Sequence, residues 1–281
     1  MKKSQKLMAV LTIISLLMLS INFGTKAEAK KMNKEELKKE KIAKKVNKSF
    51  KSTLAMYPTP NIEDLLDEKM GDRLILHTSA NIEHTNNSKE YLKSEGMVLY
   101  INTHTKKGYG YYYIEYFWEK ESRAKYKADD YPVYYDKGIH LRTSTGDAEF
   151  DKKIENFQFL IQYADFKDLN KNKVVDAGYN PNVPSFSLEY KLSNDDELVN
   201  KLRQECGFTD KKEPTIELNG EGSYGEAPQH QLDYRQIVIN FSKKPSEYLR
   251  DSISYDNQWQ EEDAFWQEEE RLNGLSTNIH R

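Results

Sequence analysis

An α+β fold, with a mainly antiparallel sheet built from hairpins and flanked by several helices, is what this sequence predicts. Three observations carry that expectation. Hairpin signatures occur at Met97–Trp118 and Tyr131–Leu141, a two-residue alternation runs through Ser185–Leu192, and helix-spaced apolar stripes lie between 149 and 163 and between 198 and 206.

The chain opens with Lys2, Lys3 and Lys6, an apolar stretch over residues 7–23, and Ala27-Glu28-Ala29. That is the layout of a secretory signal peptide cleaved after Ala29. An uncleaved membrane anchor is the alternative, because the 17 mostly apolar residues approach the roughly 20 that span a bilayer. Either way the body is expected to be exported, as a secreted or cell-envelope-associated protein. Cleavage removes four Lys and one Glu, so the formal net charge moves from −3 to −6 over the remaining 252 residues. A mildly acidic chain lacks the basic face that nucleic acid requires, and no nucleic-acid partner is expected.

Residues 30–48 then hold nine Lys against three Glu. They form a basic arm or helix in which Lys30, Lys31, Lys34, Lys38, Lys39, Lys41, Lys44, Lys45 and Lys48 could attract an anionic polymer or membrane surface. Each lysine would contribute on the order of 1 kcal/mol before screening. The pairs Glu35–Lys39 and Glu40–Lys44 fit an ordinary solvated helix equally well.

Phe50, Leu54 and Tyr57 continue this segment at helical spacing until Pro58 and Pro60 stop it, and Asn61 is placed to cap a short turn. In the first hairpin, Gly108 is expected to take positive φ at the turn. Phe150, Ile154, Phe157 and Ile161 predict one amphipathic helix across 149–163. Ser185–Leu192 places Phe186, Leu188, Tyr190 and Leu192 on one face of a strand. Ser193 or Asn194 should cap the next helix, which Gly207 ends. Thr215–Leu218 and Gln236–Phe241 read as further strands. The expected organisation is a leader (1–29), the Lys-rich segment (30–48), a single α+β domain (49–255) and an acidic C-terminal tail (256–281) containing Trp259 and Trp266.

Chemistry-bearing motifs are few. Asp168, Asn170, Asn172 and Asp176 occupy positions 1, 3, 5 and 9 of a calcium loop, but Lys173 stands where glycine turns the chain and Tyr179 where a bidentate Glu closes the shell. An ordinary surface turn is expected there, and no metal or other cofactor. The run Tyr109–Trp118 could present an aromatic platform for a small ligand or glycan. Its tyrosines fall on both strand faces, however, which predicts core packing. H-E-x-x-H, P-loop and G-x-S-x-G motifs are absent, histidines are scattered singly, and the one cysteine, Cys206, allows no intramolecular disulfide. No catalytic residues are assigned, and an enzyme is not expected.

Ser94-Glu-Gly-Met-Val-Leu99, Gly108-Tyr-Gly-Tyr-Tyr112, Ile154-Glu-Asn-Phe-Gln-Phe159, Gln162-Tyr-Ala-Asp-Phe-Lys-Asp168, Tyr179-Asn-Pro-Asn-Val-Pro-Ser185 and Tyr190-Lys-Leu-Ser-Asn-Asp-Asp196 resemble, in order, the staphylococcal tandem lipoprotein family, the conserved staphylococcal antigen type. The resemblance covers roughly residues 48–256. It implies a surface-exposed protein of Gram-positive envelopes without known enzymatic activity, associated with immune stimulation and host-cell invasion, for which an Hsp90-type host chaperone has been proposed as partner. The family's lipobox cysteine has no counterpart in Ile21–Ala29, so lipid attachment is not expected. The reading that follows is a non-enzymatic surface antigen that binds a host or envelope component. The alternative is an extracellular module that binds a small ligand or glycan on the tyrosine-rich sheet.

Overall fold

A computed structural model of the chain describes residues 29–86, 89–118, 125–136, 139–226, 233–242 and 246–257. Residues 1–28, with Ala27, and residues 258–281, with both tryptophans of the acidic tail, lie outside these residues. The chain divides into two units, residues 1–38 and 39–281. The described part of the first is helical, the beginning of helix α1 (Ala29–Leu54), whose remainder belongs to the second. Ala29, at the expected cleavage point, is the first residue of that helix.

The second unit is built on one ten-stranded sheet. Its strands are β1 (Arg73–Asn86), β2 (Lys89–Asn102), β3 (Lys107–Trp118), β4 (Lys125–Asp136), β5 (Ile139–Arg142), β6 (Lys173–Asn180), β7 (Ser185–Lys191), β8 (Thr215–Glu221), β9 (Arg235–Asn240) and β10 (Glu247–Asp256). They lie in the order β5-β4-β3-β2-β1-β10-β9-β8-β7-β6, and every neighbouring pair is antiparallel. Two five-stranded meanders therefore meet where the last strand lies beside the first.

Strand alternation gives the sheet two unlike faces. One carries Leu74 and Leu76 of β1, Met97 and Leu99 of β2, Tyr112 of β3, Leu188 of β7, Ile237 and Ile239 of β9, and Leu249 and Ile253 of β10, all within one buried cluster. Ala43, Val46 and Phe50 of α1, Ile154 of α2 (Ala148–Glu155), and Val199 and Leu202 of α3 (Glu197–Cys206) join the same cluster. The helices are thus gathered on this face.

Arg235 fastens α1 to the sheet. Its guanidinium is buried and donates to the carbonyls of Glu221 (2.6 Å), Tyr234 (2.8 Å) and Ser223 (2.9 Å), with Phe186 beneath it at 4.8 Å. Ser49 of α1 takes a hydrogen bond from the Gly225 amide (2.6 Å) at the same corner. These carbonyl dipoles, with the Asp233 charge nearby, compensate the guanidinium and keep a buried arginine tolerable.

Most expected elements form, with Asn61 accepting from the Glu63 amide and Gly207 ending α3 at φ 72°. Three details differ. The positive φ of the β2–β3 turn belongs to Lys106 (60°); Gly108 lies inside β3, where a Cβ would press on the Tyr100 carbonyl. The stripe at 149–163 splits into α2 and a separate 3-10 turn, Leu160–Gln162, because Asn156 ends the helix and Phe159 is extended, its amide held by the Gln162 side chain. The cap of α3 is Asp196, whose carboxylate accepts from the Leu198 amide, not Ser193 or Asn194. Strands β1, β6 and β10 are additions to the sequence reading.

Candidate functional site: the second face of the sheet

The face turned away from the helices is polar and aromatic. Register places Tyr111, Tyr113 and Glu115 of β3, Ser94, Gly96 and Val98 of β2, His77, Ser79 and Asn81 of β1, Tyr248, Arg250 and Ser252 of β10, and Gln236 and Val238 of β9 on it. Val98, Tyr109, Tyr113 and Val238 are buried, yet none belongs to the main core cluster. Ser79, Asn81, Ser94 and Gln236 are buried among them. Side chains this polar do not leave water for packing alone, since each lost hydration bond must be replaced.

Gly96 makes this crowding possible. A Cβ there would collide with the Thr78 carbonyl and with Ser79, so only glycine lets β1 and β2 approach this closely. Tyr113, opposite Gly96, lies over the gap, and its hydroxyl meets His77 Nε2 at 2.7 Å. Burial, with the Arg250 charge nearby, pushes the His77 pKa down to about 4, so the imidazole is neutral at physiological pH. Burial likewise raises the Tyr113, Tyr234 and Tyr248 hydroxyls, and each remains protonated.

Arg250 stands at the middle of the face. Its guanidinium lies 5.7 Å over the Tyr248 ring, and it makes no ion pair among the described residues. Its Nε is buried without a hydrogen-bond partner among them, and so is Oε1 of Gln236. The Gln236 amide nitrogen meets the Tyr234 hydroxyl at 2.5 Å. Glu115, burial of which raises its pKa, accepts from the Tyr126 hydroxyl at 2.7 Å.

The tyrosine run is thus divided. Tyr112 is core, edge-on to Phe150 and Phe157 at 5.9 Å, with its hydroxyl on Glu95. Tyr109 stacks on Tyr100 (5.5 Å), whereas Tyr111 is 37% exposed.

The calcium candidates are not drawn into a coordination shell. Asp168 precedes a 3-10 turn, Leu169–Lys171, and pairs with Lys171 at 2.7 Å. Asn170 lies within that turn and Asn172 ends it. Asp176 sits on β6, paired with Lys39 at 3.0 Å. Asp165, Asp168, Asn172 and Asp196 line a depression of about 60 Å³, but Lys167, Lys171 and the start of α3 already engage the three carboxylates. Among the described residues no group of three or more His, Cys, Asp or Glu could hold a metal ion.

Of the Lys-rich set, Lys34, Lys38, Lys41, Lys44, Lys45 and Lys48 are exposed on α1. Lys39 is taken up by Asp176 rather than Glu35, and Lys45 lies 4.9 Å over the Tyr224 ring. Lys30 and Lys31 are in the first turns of α1. Cys206 ends α3 with its thiol pushed up to about 12 by burial and by Glu205, which makes it a poor nucleophile. Among the described residues no helix is long and apolar enough to cross a membrane.

Sequence comparison agrees in extent with this body. The model of the Csa1 family matches residues 42–258. An uncharacterized lipoprotein of Staphylococcus aureus strain USA300 is 34% identical over 238 residues, 80% of this chain and 89% of that protein. One of strain N315 is 35% identical over 236 residues, with 80% and 89% covered. One of strain COL is 37% identical over 226 residues, with 75% and 86% covered.

Proposed function

The chain belongs to the Csa1 family, and on that premise we propose that it is an exported, envelope-associated protein that works by binding rather than by catalysis. The observation that carries the reading is the second face, where buried polar groups surround a central arginine and, among the described residues, no nucleophile stands beside a base. His77, beside Tyr113 on this face, is neutral and bonded to that tyrosine, and Cys206 lies at the end of α3 with its thiol protonated. The lipoprotein relatives support a place at the envelope. A role as surface antigen in contact with host components is the finer part of the proposal.

Fractionation of the producing cell, with mass spectrometry of the mature N-terminus, tests the location. The expected product begins at Lys30 and is recovered from the medium or envelope. A cytosolic protein beginning at Met1 overturns the reading.

The exposed lysines of α1 support a second contact, electrostatic attraction to an anionic polymer or membrane. Ala43 and Val46 are core residues, so deleting the whole segment would remove folding contacts as well as charge. Lys→Gln replacement at 34, 38, 41, 44 and 48 separates the two. Envelope binding that falls with the substitutions and with added salt supports the contact; unchanged binding removes it.

A further inference from the structure

The second face holds a cation and an acceptor that the fold leaves unmatched. The Arg250 guanidinium is taken partly out of water between Ser79 and Val238, which face it on the neighbouring strands, and over the ring of Tyr248 on its own strand. None of these carries a compensating charge. Glu115 and Asp130 share the face, and the Arg250 charge works against the upward push of burial on the Glu115 carboxyl, but Glu115 takes its hydrogen bond from Tyr126 and no ion pair joins either carboxylate to Arg250 among the described residues. An unpaired charge at such a place costs stability, and proteins keep one where a ligand supplies the counter-charge.

Gln236 is the independent observation. It is 2% exposed, faces Ser252 across the β9–β10 pair, and is therefore diagonal to Arg250 on the same face. One end of its amide meets Tyr234, and the other has no partner. Turning the amide over only exchanges which end is left. A buried group with one idle end costs about as much as a lost hydrogen bond. Beside them, the Tyr248 hydroxyl and the Tyr111 ring, which is 37% exposed, offer a hydrogen bond and ring contact without net charge, while the Ser252 hydroxyl bonds Tyr234.

We infer that Arg250 and Gln236 form a binding subsite for a small carboxylate that bears a hydrogen-bond donor next to its acid group, such as an amino acid, a hydroxy acid or an acidic sugar. The guanidinium fork takes the two carboxylate oxygens, and Gln236 accepts from the ligand's N–H or O–H. A tyrosine ring packs on the remaining carbon skeleton. The inference rests on the proposed binding role of this face and adds the ligand's chemistry.

The test uses three probes, alanyl-alanine, lactate and D-glucuronate, with D-glucose as uncharged control, read by tyrosine fluorescence and by thermal shift of the full chain. The expected result is saturable binding of at least one acid and none of glucose. The acid that binds names the source. Arg250→Met should weaken that acid by about tenfold or more while leaving the melting temperature equal to or above the parent's, because it removes an uncompensated charge. Arg250→Lys, which keeps the charge but not the fork, should weaken it severalfold.

Failure of all three acids to bind overturns the inference. So does equal binding by Arg250→Met, or a fall in its melting temperature without loss of binding, which marks a structural arginine. Envelope binding measured on the same variants separates the two levels. If it persists in Arg250→Met and the acids fail, the subsite is wrong and the surface-binding role stands.

Discussion

Asp251, buried, and His77, half-buried, lie on opposite faces of the two central strands, and their titrations pull stability in opposite directions. Burial pushes the Asp251 carboxyl up to about 7, against hydrogen bonds from Thr78, Tyr57 and the Leu160 amide. A raised acid contributes stability that is whole below its unfolded value near 3.8 and is lost as pH rises through 7. His77, lowered to about 4, contributes stability that is whole above 6.5 and is lost as pH falls through 4. Between pH 4 and 7 the two largely offset each other in the parent. Asp251→Asn removes one, so its stability relative to the parent should grow with pH by up to about 1.4 kcal/mol per unit across that range. His77→Asn should gain relative to the parent as pH falls from 6.5 to 4. Urea titrations at several pH values check both, and a flat difference in either would contradict the burial argument. Gly96→Ala tests packing at the same scale: its Cβ would meet the Thr78 carbonyl and the Ser79 Cα of β1, and a loss of roughly 2–4 kcal/mol is expected.

At the scale of elements, helices α1 and α2 are tied to the sheet by a small number of polar anchors set in apolar contact. Lys153 of α2 reaches Glu95 of β2, which also receives Lys93 at 2.6 Å and the Tyr112 hydroxyl. Burial works against that carboxylate's charge, yet these three partners outweigh it and hold the pKa down to about 2. Its contribution is present above about pH 4.5 and lost as pH falls through 2. Glu95→Gln should cost about 1–2 kcal/mol at pH 7 and nothing at pH 2, read by thermal melts. Arg235→Lys should cost about 2–4 kcal/mol, because one ammonium cannot reach the carbonyls of Glu221, Tyr234 and Ser223 together. The corner of the sheet near Gly225 should open first in that variant, measurable as faster amide exchange at Gly225.

At the scale of the molecule, every strand pairing but one joins neighbours in sequence; the exception, β1 with β10, closes two meanders into one sheet. Amides of β1 and β10 should exchange slowest, and those of the edge strands β5 and β6 soonest. The same two central strands were the hardest to read beforehand. In β1 the inward row includes buried Thr78 and half-buried Ala80 between Leu76 and Ile82, and in β10 Asp251 interrupts Leu249 and Ile253, so neither shows clean apolar alternation. Strands β2, β3, β7 and β9 announced themselves because each inward row carries a short apolar or aromatic run: Met97, Leu99 and Ile101; Tyr112 and Ile114; Phe186, Leu188 and Tyr190; Ile237 and Ile239. The candidate site was legible only as a tyrosine-rich run. Arg250 and Gln236 are unremarkable letters in the chain, and nothing local marks a side chain whose partner is missing. Local pattern by itself therefore determined the α+β class, the hairpins, the stop at Pro58 and the family resemblance, since these depend on spacing over a few residues. Which tyrosines are core, what caps α3, and the meeting of an unpaired arginine with a half-bonded glutamine were decided by tertiary structure alone, because register between strands far apart in sequence sets burial and charge pairing.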